Sequence, residues 1–244
     1  FQDQNGQDRY AWTTSWGVST RLVGGLVMTH GDDAGLVLPP KLAPVQAVIV
    51  PIWRSDDDRT RVIEKAHAVS AALIELGVRT RVDDRDNLNP GAKYYEWERK
   101  GVPFRVEVGP RDMEQGQLCL VRRLTPEGEK RKAFLPEQEA IAGLPARLEA
   151  FQAELLAAAV ARREAHSHRG VGSIGEMAEF LDGGGGFVYT GWSGDPAVEE
   201  RVKEECKATI RVMPSAEFRS SDRPAKCVGG EDDAKHEVAW ARAY

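Results

Sequence analysis

The stretch Val45-Gln46-Ala47-Val48-Ile49-Val50-Pro51-Ile52 is a continuous apolar run of strand length. Asp56, Asp57 and Asp58 follow it, then apolar residues at Val62, Ile63, Ala66, Val69, Ala72, Leu73 and Leu76. That spacing is helical. Acidic residues at a helix N-terminus suit its dipole, and Gly77 supplies the stop. Residues 78–82 read as a second short strand. Residues 90–100 read as a second helix ended by Gly101, and 103–109 (PFRVEVG) as an alternating third strand. Residues 118–122 and 132–135 form a hairpin around Pro126-Glu127-Gly128. Strand, helix, strand, helix, strand means an α/β domain with a mixed sheet.

Outward from this unit the pattern changes. Upstream, YAWTTSW (10–16) alternates aromatic and polar residues and reads as a strand. Residues 18–30 have near-helical apolar spacing, and Gly24 and Gly25 within them suggest close backbone packing, since glycine costs a helix stability. Downstream of residues 136–143, a long Ala- and Glu-rich helix spans 144–168. A short helix at 173–181 has Glu176 placed as in a capping box. A GGGG turn (183–186), a strand at 187–190, a helix at 196–207, and strands at 208–213 and 235–240 complete the chain. There is no internal repeat.

Length and composition bound the class. The chain has 244 residues, one to two domains at roughly 150 residues each. Apolar residues are 41% and charged residues 29%, as in ordinary globular proteins. Mean hydropathy is −0.44, and no apolar run approaches the ~20 residues of a membrane span. A net charge of −5 argues against a strongly basic nucleic-acid-coating protein and leaves room for a local basic surface. With 3 cysteines and no signal peptide, a cytoplasmic location is expected. An opening on Phe1, without Met or cap, suggests the C-terminal part of a longer polypeptide; the alternative is a chain matured by processing.

Three blocks carry a resemblance. Thr14-Ser15-Trp16-Gly17-Val18-Ser19-Thr20-Arg21 leads into Met28-Thr29-His30-Gly31-Asp32-Asp33, then 35–40 (GLVLPP) and 43–46 (APVQ). Trp97-Glu98-Arg99-Lys100-Gly101-Val102-Pro103 leads through Arg105 to Gly109-Pro110-Arg111-Asp112. The chain ends Ala241-Arg242-Ala243-Tyr244. In this order they resemble prolyl-tRNA synthetases of the archaeal/eukaryotic type, a class II family, over nearly the whole chain. The fold implied is α/β (α+β overall). Residues 1–42 are the end of a class II antiparallel catalytic sheet with motif 3, and 43–145 a mixed-sheet anticodon-binding domain. Residues 146–244 are a linker helix and a small C-terminal α/β domain.

The function implied is two-step attachment of proline to tRNA(Pro), through prolyl-adenylate made from ATP with Mg²⁺. Such chemistry needs positioning and charge neutralisation more than a covalent nucleophile. Arg21 matches the motif 3 arginine, which holds ATP and serves catalysis; on its residues alone it pairs equally well with Asp32 or Asp33. Ser15, Trp16 and Gly17 match the strand lining the proline pocket, with Trp16 as a core aromatic the plainer reading. Motifs 1 and 2 belong upstream. The chain alone is therefore expected not to activate proline, and its partners are the N-terminal half of the enzyme and a second copy in a homodimer, with no membrane. The alternative is a non-catalytic tRNA-binding or regulatory module derived from a class II synthetase, which would have no need of Arg21. A third option is another class II synthetase, for threonine, histidine or glycine.

A proline anticodon ends in a pair of guanines. A carboxylate suits guanine's N1–H and N2–H edge, and an arginine its O6 and N7. Glu98 and Arg105 match the family's anticodon-reading positions, with Arg111 a third candidate; the plainer reading of the first two is an intramolecular ion pair. Arg79, Arg81, Arg85, Lys93, Arg99 and Lys100 add a basic set for phosphates, about half of it expected to be solvated surface. Many family members carry C-x4-C and C-x2-C zinc pairs in the last domain. Here those positions hold Ser193, Val198, Cys227 and Gly230, so no zinc is expected. Cys119 and Cys206 read as structural thiols. The resemblance also implies that the Tyr244 carboxylate returns toward the active site. His30, His67, His166, His168 and His236 have no metal spacing and receive no catalytic role; His166 and His168 are expected at a helix C-terminus.

Overall fold

A computed structural model describes residues 1–125, 128–230 and 232–243. The chain divides into two compact units, Phe1–Leu156 and Ala157–Tyr244. Each is built on a mixed sheet, the α/β class that the alternation of elements predicts.

In the first unit β1 (Ala47–Pro51), β2 (Thr80–Val82) and β3 (Phe104–Val108) are parallel, and β4 (Gln117–Arg122) and β5 (Lys132–Pro136) add antiparallel strands. The strand order is β2-β1-β3-β4-β5. β1 reads as an unbroken apolar run because both of its faces are covered. Ala47 and Ile49 meet Val62, Ala66, Val69 and Leu73 of α2 (Asp56–Glu75). Val48 and Val50 meet Trp97 of α3 (Pro90–Arg99) and Val102. Both helices start on side-chain caps that satisfy a free N–H. Ser55 Oγ accepts from Asp58 N at 3.3 Å, and Asn89 Oδ1 accepts from Ala92 N at 2.8 Å. The hairpin expected at 126–128 falls partly outside the described residues; its strands β4 and β5 pair as anticipated.

Three features of this unit differ from the sequence reading. Residues 10–16 form no strand: they are exposed throughout, and the bridge Gln2–Asp8 is the pairing nearest them. Strand pattern without a neighbouring ladder yields only extended chain. The helix expected at 18–30 forms as α1 (Arg21–His30), with no buried residue. A Cβ at Gly24 or Gly25 would meet nothing within 4 Å, so the pair marks no close packing. The short helix α4 (Pro110–Glu114) is additional.

The long helix begins earlier than expected, as α5 (Glu137–Ala165), and runs through Gly143 and Pro145. A proline inside a helix costs about 3 kcal/mol. Here Ala140, Leu144, Leu148, Phe151 and Leu155 are buried along one stripe, and each large side chain buried is worth about 1.5–3 kcal/mol. The stripe outweighs the proline.

The second unit orders its strands β6-β7-β9-β8. β6 (Ser167–Arg169) is parallel to β7 (Phe187–Trp192), whereas β8 (Ala208–Val212) and β7 run antiparallel to β9 (His236–Arg242). β6 lies where the long helix was expected to end. His168 therefore sits in a strand, stacked on Phe180 at 4.7 Å, and not at a helix C-terminus. In α6 (Ile174–Asp182), Ser173 Oγ accepts from Glu176 N, and Glu176 reaches back to Gly172 N. The core joins Met177 of α6, Val202 and Cys206 of α7 (Pro196–Cys206), Val188, Val238 and Trp240. Trp240 is fully buried and donates to Thr190 Oγ1 at 2.8 Å, which satisfies its indole N–H. Trp192 and Ile210 pack at the margin, and Phe187 stays largely outside. No helix among the described residues is long and apolar enough to cross a membrane.

Candidate functional site

Strand register brings the two main candidates together. Arg105 on β3 sits between Val48 of β1 and Val121 of β4, so its side chain shares the sheet face that α3 covers. Glu98 is in the last turn of α3. Glu98 and Arg105 line one cavity with Val48, Trp97, Val102, Val121 and Arg131. Its volume is about 10 Å³, room for a single water.

The expected pair between Glu98 and Arg105 is not what the structure contains. Glu98 is paired with Arg131. Arg105 donates through Nε and Nη2 to Glu107 Oε1 at 3.1 and 2.9 Å, and its guanidinium lies 3.9 Å from the Tyr94 ring centroid. Glu107 is buried and also accepts from Lys132 Nζ at 2.7 Å. Glu107 holds both cations and so fixes the Arg105 fork in place. Arg111 is not brought to this cavity. It lies on α4, lining a cleft of about 300 Å³ at the C-terminal ends of β1 and β3 with Arg54, Asp58 and Asp112.

The basic set divides. Arg79 donates to the carbonyls of Ala43 and Pro40, at 2.9 and 2.8 Å, and so ties down the linker. Arg85 is committed to Asp83 and Glu96, and Lys100 to Glu96. Lys93 is buried, contrary to its expected phosphate role; its Nζ donates to the Asp83 carbonyl at 3.0 Å. Burial holds the Lys93 ammonium below its usual range, opposed by the charge of Asp83. Arg81, Arg99 and Arg111 are exposed. Sequence reasoning missed Lys130, Arg131 and Arg147, which with Arg122 line a cavity of about 220 Å³. Arg131 precedes β5 and Arg147 lies on α5, so only tertiary contact unites them.

Ser15, Trp16 and Gly17 lie in the exposed segment before α1, with Trp16 94% exposed. Arg21 opens α1, is exposed, and has no carboxylate within ion-pair distance among the described residues. Asp32, one of its two anticipated partners, is instead paired with Arg123. Tyr244 lies outside the described residues.

Two of the zinc positions, Ser193 and Cys227, meet. Ser193 N donates to Cys227 Sγ at 3.3 Å. The Val198 methyls fill the space over Gly229, where a Cβ would come within 2.7 Å of them. One thiol, one hydroxyl, a valine and a glycine do not fit a tetrahedral zinc shell. Zinc analysis of the purified protein by mass spectrometry is expected to return far less than one equivalent; one zinc per chain would refute this. Cys119 and Cys206 are buried thiols, and burial pushes Cys119 up to about 12 and raises Cys206.

Residues 46–145 match an anticodon binding domain, and residues 174–244 match a domain described as prolyl-tRNA synthetase, C-terminal. The whole chain aligns with the proline–tRNA ligase of Chloroflexus aurantiacus at 47% identity, covering 49% of that protein. It aligns with the enzyme of Roseiflexus castenholzii at 45%, covering 49%. The chloroplastic/mitochondrial proline–tRNA ligase of Arabidopsis thaliana is 40% identical, with 44% covered. The chain thus spans about half the length of the curated relatives it matches, and over that span it is similar to the C-terminal half of prolyl-tRNA synthetases.

Proposed function

We propose that this chain acts as the C-terminal half of a proline–tRNA ligase of the archaeal/eukaryotic type. In this reading residues 1–42 complete the catalytic domain, 43–145 read the anticodon and 146–244 form the C-terminal domain. The observation that carries it is the convergence of Glu98 and Arg105 on one cavity within a matched anticodon binding domain.

Glu98 accepts from guanine N1–H and N2–H, and Arg105, held by Glu107, donates to a guanine's O6 and N7. The water-sized cavity has to open first, and Arg131, 50% exposed at its rim, is the side chain that moves. Arg111 serves as a separate contact in its own cleft. Lys130, Arg131 and Arg147 hold phosphates, which on an acidic chain concentrates attraction at the reading face. Ser15, Trp16 and Gly17 line the proline pocket once the rest of the catalytic domain covers them. Arg21 neutralises charge on ATP and its leaving pyrophosphate. The substrates are proline, tRNA(Pro) and ATP with Mg²⁺, the metal adding charge neutralisation when bound. The enzyme works as a cytoplasmic homodimer.

Filter binding of tRNA(Pro) tests the reading. Glu98→Gln and Arg105→Ala should each weaken binding by about 5- to 150-fold, the 1–3 kcal/mol of one good base contact. The loss should vanish on a tRNA with adenines in place of the anticodon guanines. A uniform loss on both RNAs would make these residues phosphate contacts and remove the argument for guanine reading.

A further inference from the structure

Arg123, directly after β4, has a side chain only 3% exposed and grips two separate segments, the chain after α1 and the end of α3. Its Nε donates to the carbonyl oxygens of Leu36, at 2.9 Å, and Glu98, at 3.0 Å. Its Nη1 and Nη2 donate to the two carboxylate oxygens of Asp32, at 2.9 and 2.5 Å. Asp32 closely follows the end of α1, the helix that Arg21 opens. Glu98 is the residue assigned above to a guanine.

The backbones around this hub are fastened together as well. Leu36 N donates to Arg99 O at 3.0 Å, and Leu38 N to Gly101 O at 3.1 Å. Gly35 and Gly101 both have positive φ. A Cβ on Gly35 would lie 2.6 Å from Arg99 O, and one on Gly101 2.7 Å from the Leu36 backbone. The chain leaving α1 and the turn ending α3 therefore meet with no side chain between them.

We propose that Arg123 is a positioning residue that couples guanine recognition at Glu98 to the placement of α1 and Arg21. A matched anticodon then changes the rate of prolyl transfer, and not only the affinity for tRNA. The inference rests on the proposed function. Its physical basis is that the fork to Asp32 fixes the guanidinium plane. Displacing the Glu98 carbonyl breaks a buried, charge-assisted hydrogen bond unless Arg123 and Asp32 follow. The least costly response is for these two segments and the end of β4 to move together, through one contiguous hydrogen-bonded network. Arg21 sits at the far end of the helix that Asp32 follows.

The test uses the full-length protein that contains this chain, with Arg123→Lys and Asp32→Asn made separately. Lysine keeps a charge beside Asp32 and loses the fork; asparagine loses the charge and leaves Arg123 its carbonyls. Thermal melting should fall but stay above the assay temperature, because buried Arg123 loses its full pairing, and proline-dependent ATP–pyrophosphate exchange without tRNA should fall less than transfer to tRNA(Pro). The kcat for transfer to tRNA(Pro), relative to kcat for the adenine-substituted tRNA, should fall by a factor of about 5 to 150, a coupling of ordinary size. The KM ratio of the two tRNAs should not move. A retained kcat ratio in both variants overturns the proposal. Equal losses in exchange and in transfer to both tRNAs also overturn it, because a purely structural support behaves that way. An unmodified enzyme indifferent to the anticodon would instead sink the functional reading, and this inference with it.

Discussion

Asp83→Ala is expected to cost the first unit about 3–5 kcal/mol, the usual effect of removing one partner from a buried charged network. The Asp83 side chain is 2% exposed. It accepts from Trp97 Nε1 at 2.7 Å and from Arg85 Nε and Nη2 at 2.8 and 2.7 Å. Without it, a buried indole N–H and the buried Lys93 lose their compensation together. Against a total of about 5–15 kcal/mol for a domain, such a loss leaves the unit barely folded. Urea unfolding followed by circular dichroism checks this; a loss under about 1 kcal/mol, the average for an arbitrary mutation, would refute it.

The same carboxylate sets an acid limit. Burial opposes its ionisation, but the hydrogen bonds of Arg85 and Trp97 and the charges of Arg85 and Lys93 outweigh burial and hold it at about 2, from 3.8. A depressed folded-state value contributes stability that is full above the unfolded value and is lost as pH falls through about 4 toward 2. The contribution is about 2 kcal/mol. Asp83→Asn should flatten the stability profile across that window.

In the full-length protein, Arg21→Ala should lower proline-dependent ATP–pyrophosphate exchange by about 10²–10³-fold, the effect of removing one preorganised charge-stabilising donor. Arg21 is exposed and no ion pair of this chain depends on it among the described residues. Its replacement should therefore leave unfolding within about 0.5 kcal/mol, the norm for such surface positions. The loss then reads as lost chemistry and not as lost structure. Arg21→Lys keeps the charge without the planar fork and should fall between the two. Exchange near the unmodified level in Arg21→Ala would withdraw the residue from the ATP site.

The unit around β1 was legible because an apolar run with both faces covered and a capped, periodic helix are local signals. Glu98 and Arg105 were singled out as a pair by the resemblance and by the chemistry of guanine's edges, and the structure adds that they line one cavity. Their partners were not: Arg131 and Glu107 are ordinary charges in the sequence, and only the β4–β5 pairing and the burial of Glu107 single them out. Arg123 had no signal at all, because what buries it is acceptors at positions 32, 36 and 98, all far from it in sequence. Gly143 and Pro145 misled in the other direction. They read as punctuation, but the apolar stripe from Ala140 to Leu155 carries the helix through them. Residues 10–16 misled because alternation predicts a strand only where a second strand exists to receive it.

The bare segment before α1 has an optical consequence. Trp12 and Trp16 are essentially fully exposed, whereas Trp97 and Trp240 are enclosed in the cores of the two units. Indole emission moves to shorter wavelength when water is removed from the ring, and soluble quenchers reach only exposed rings. The protein thus carries a natural reporter: capping this segment with any companion polypeptide blue-shifts and shields two fluorophores without disturbing the enclosed ones.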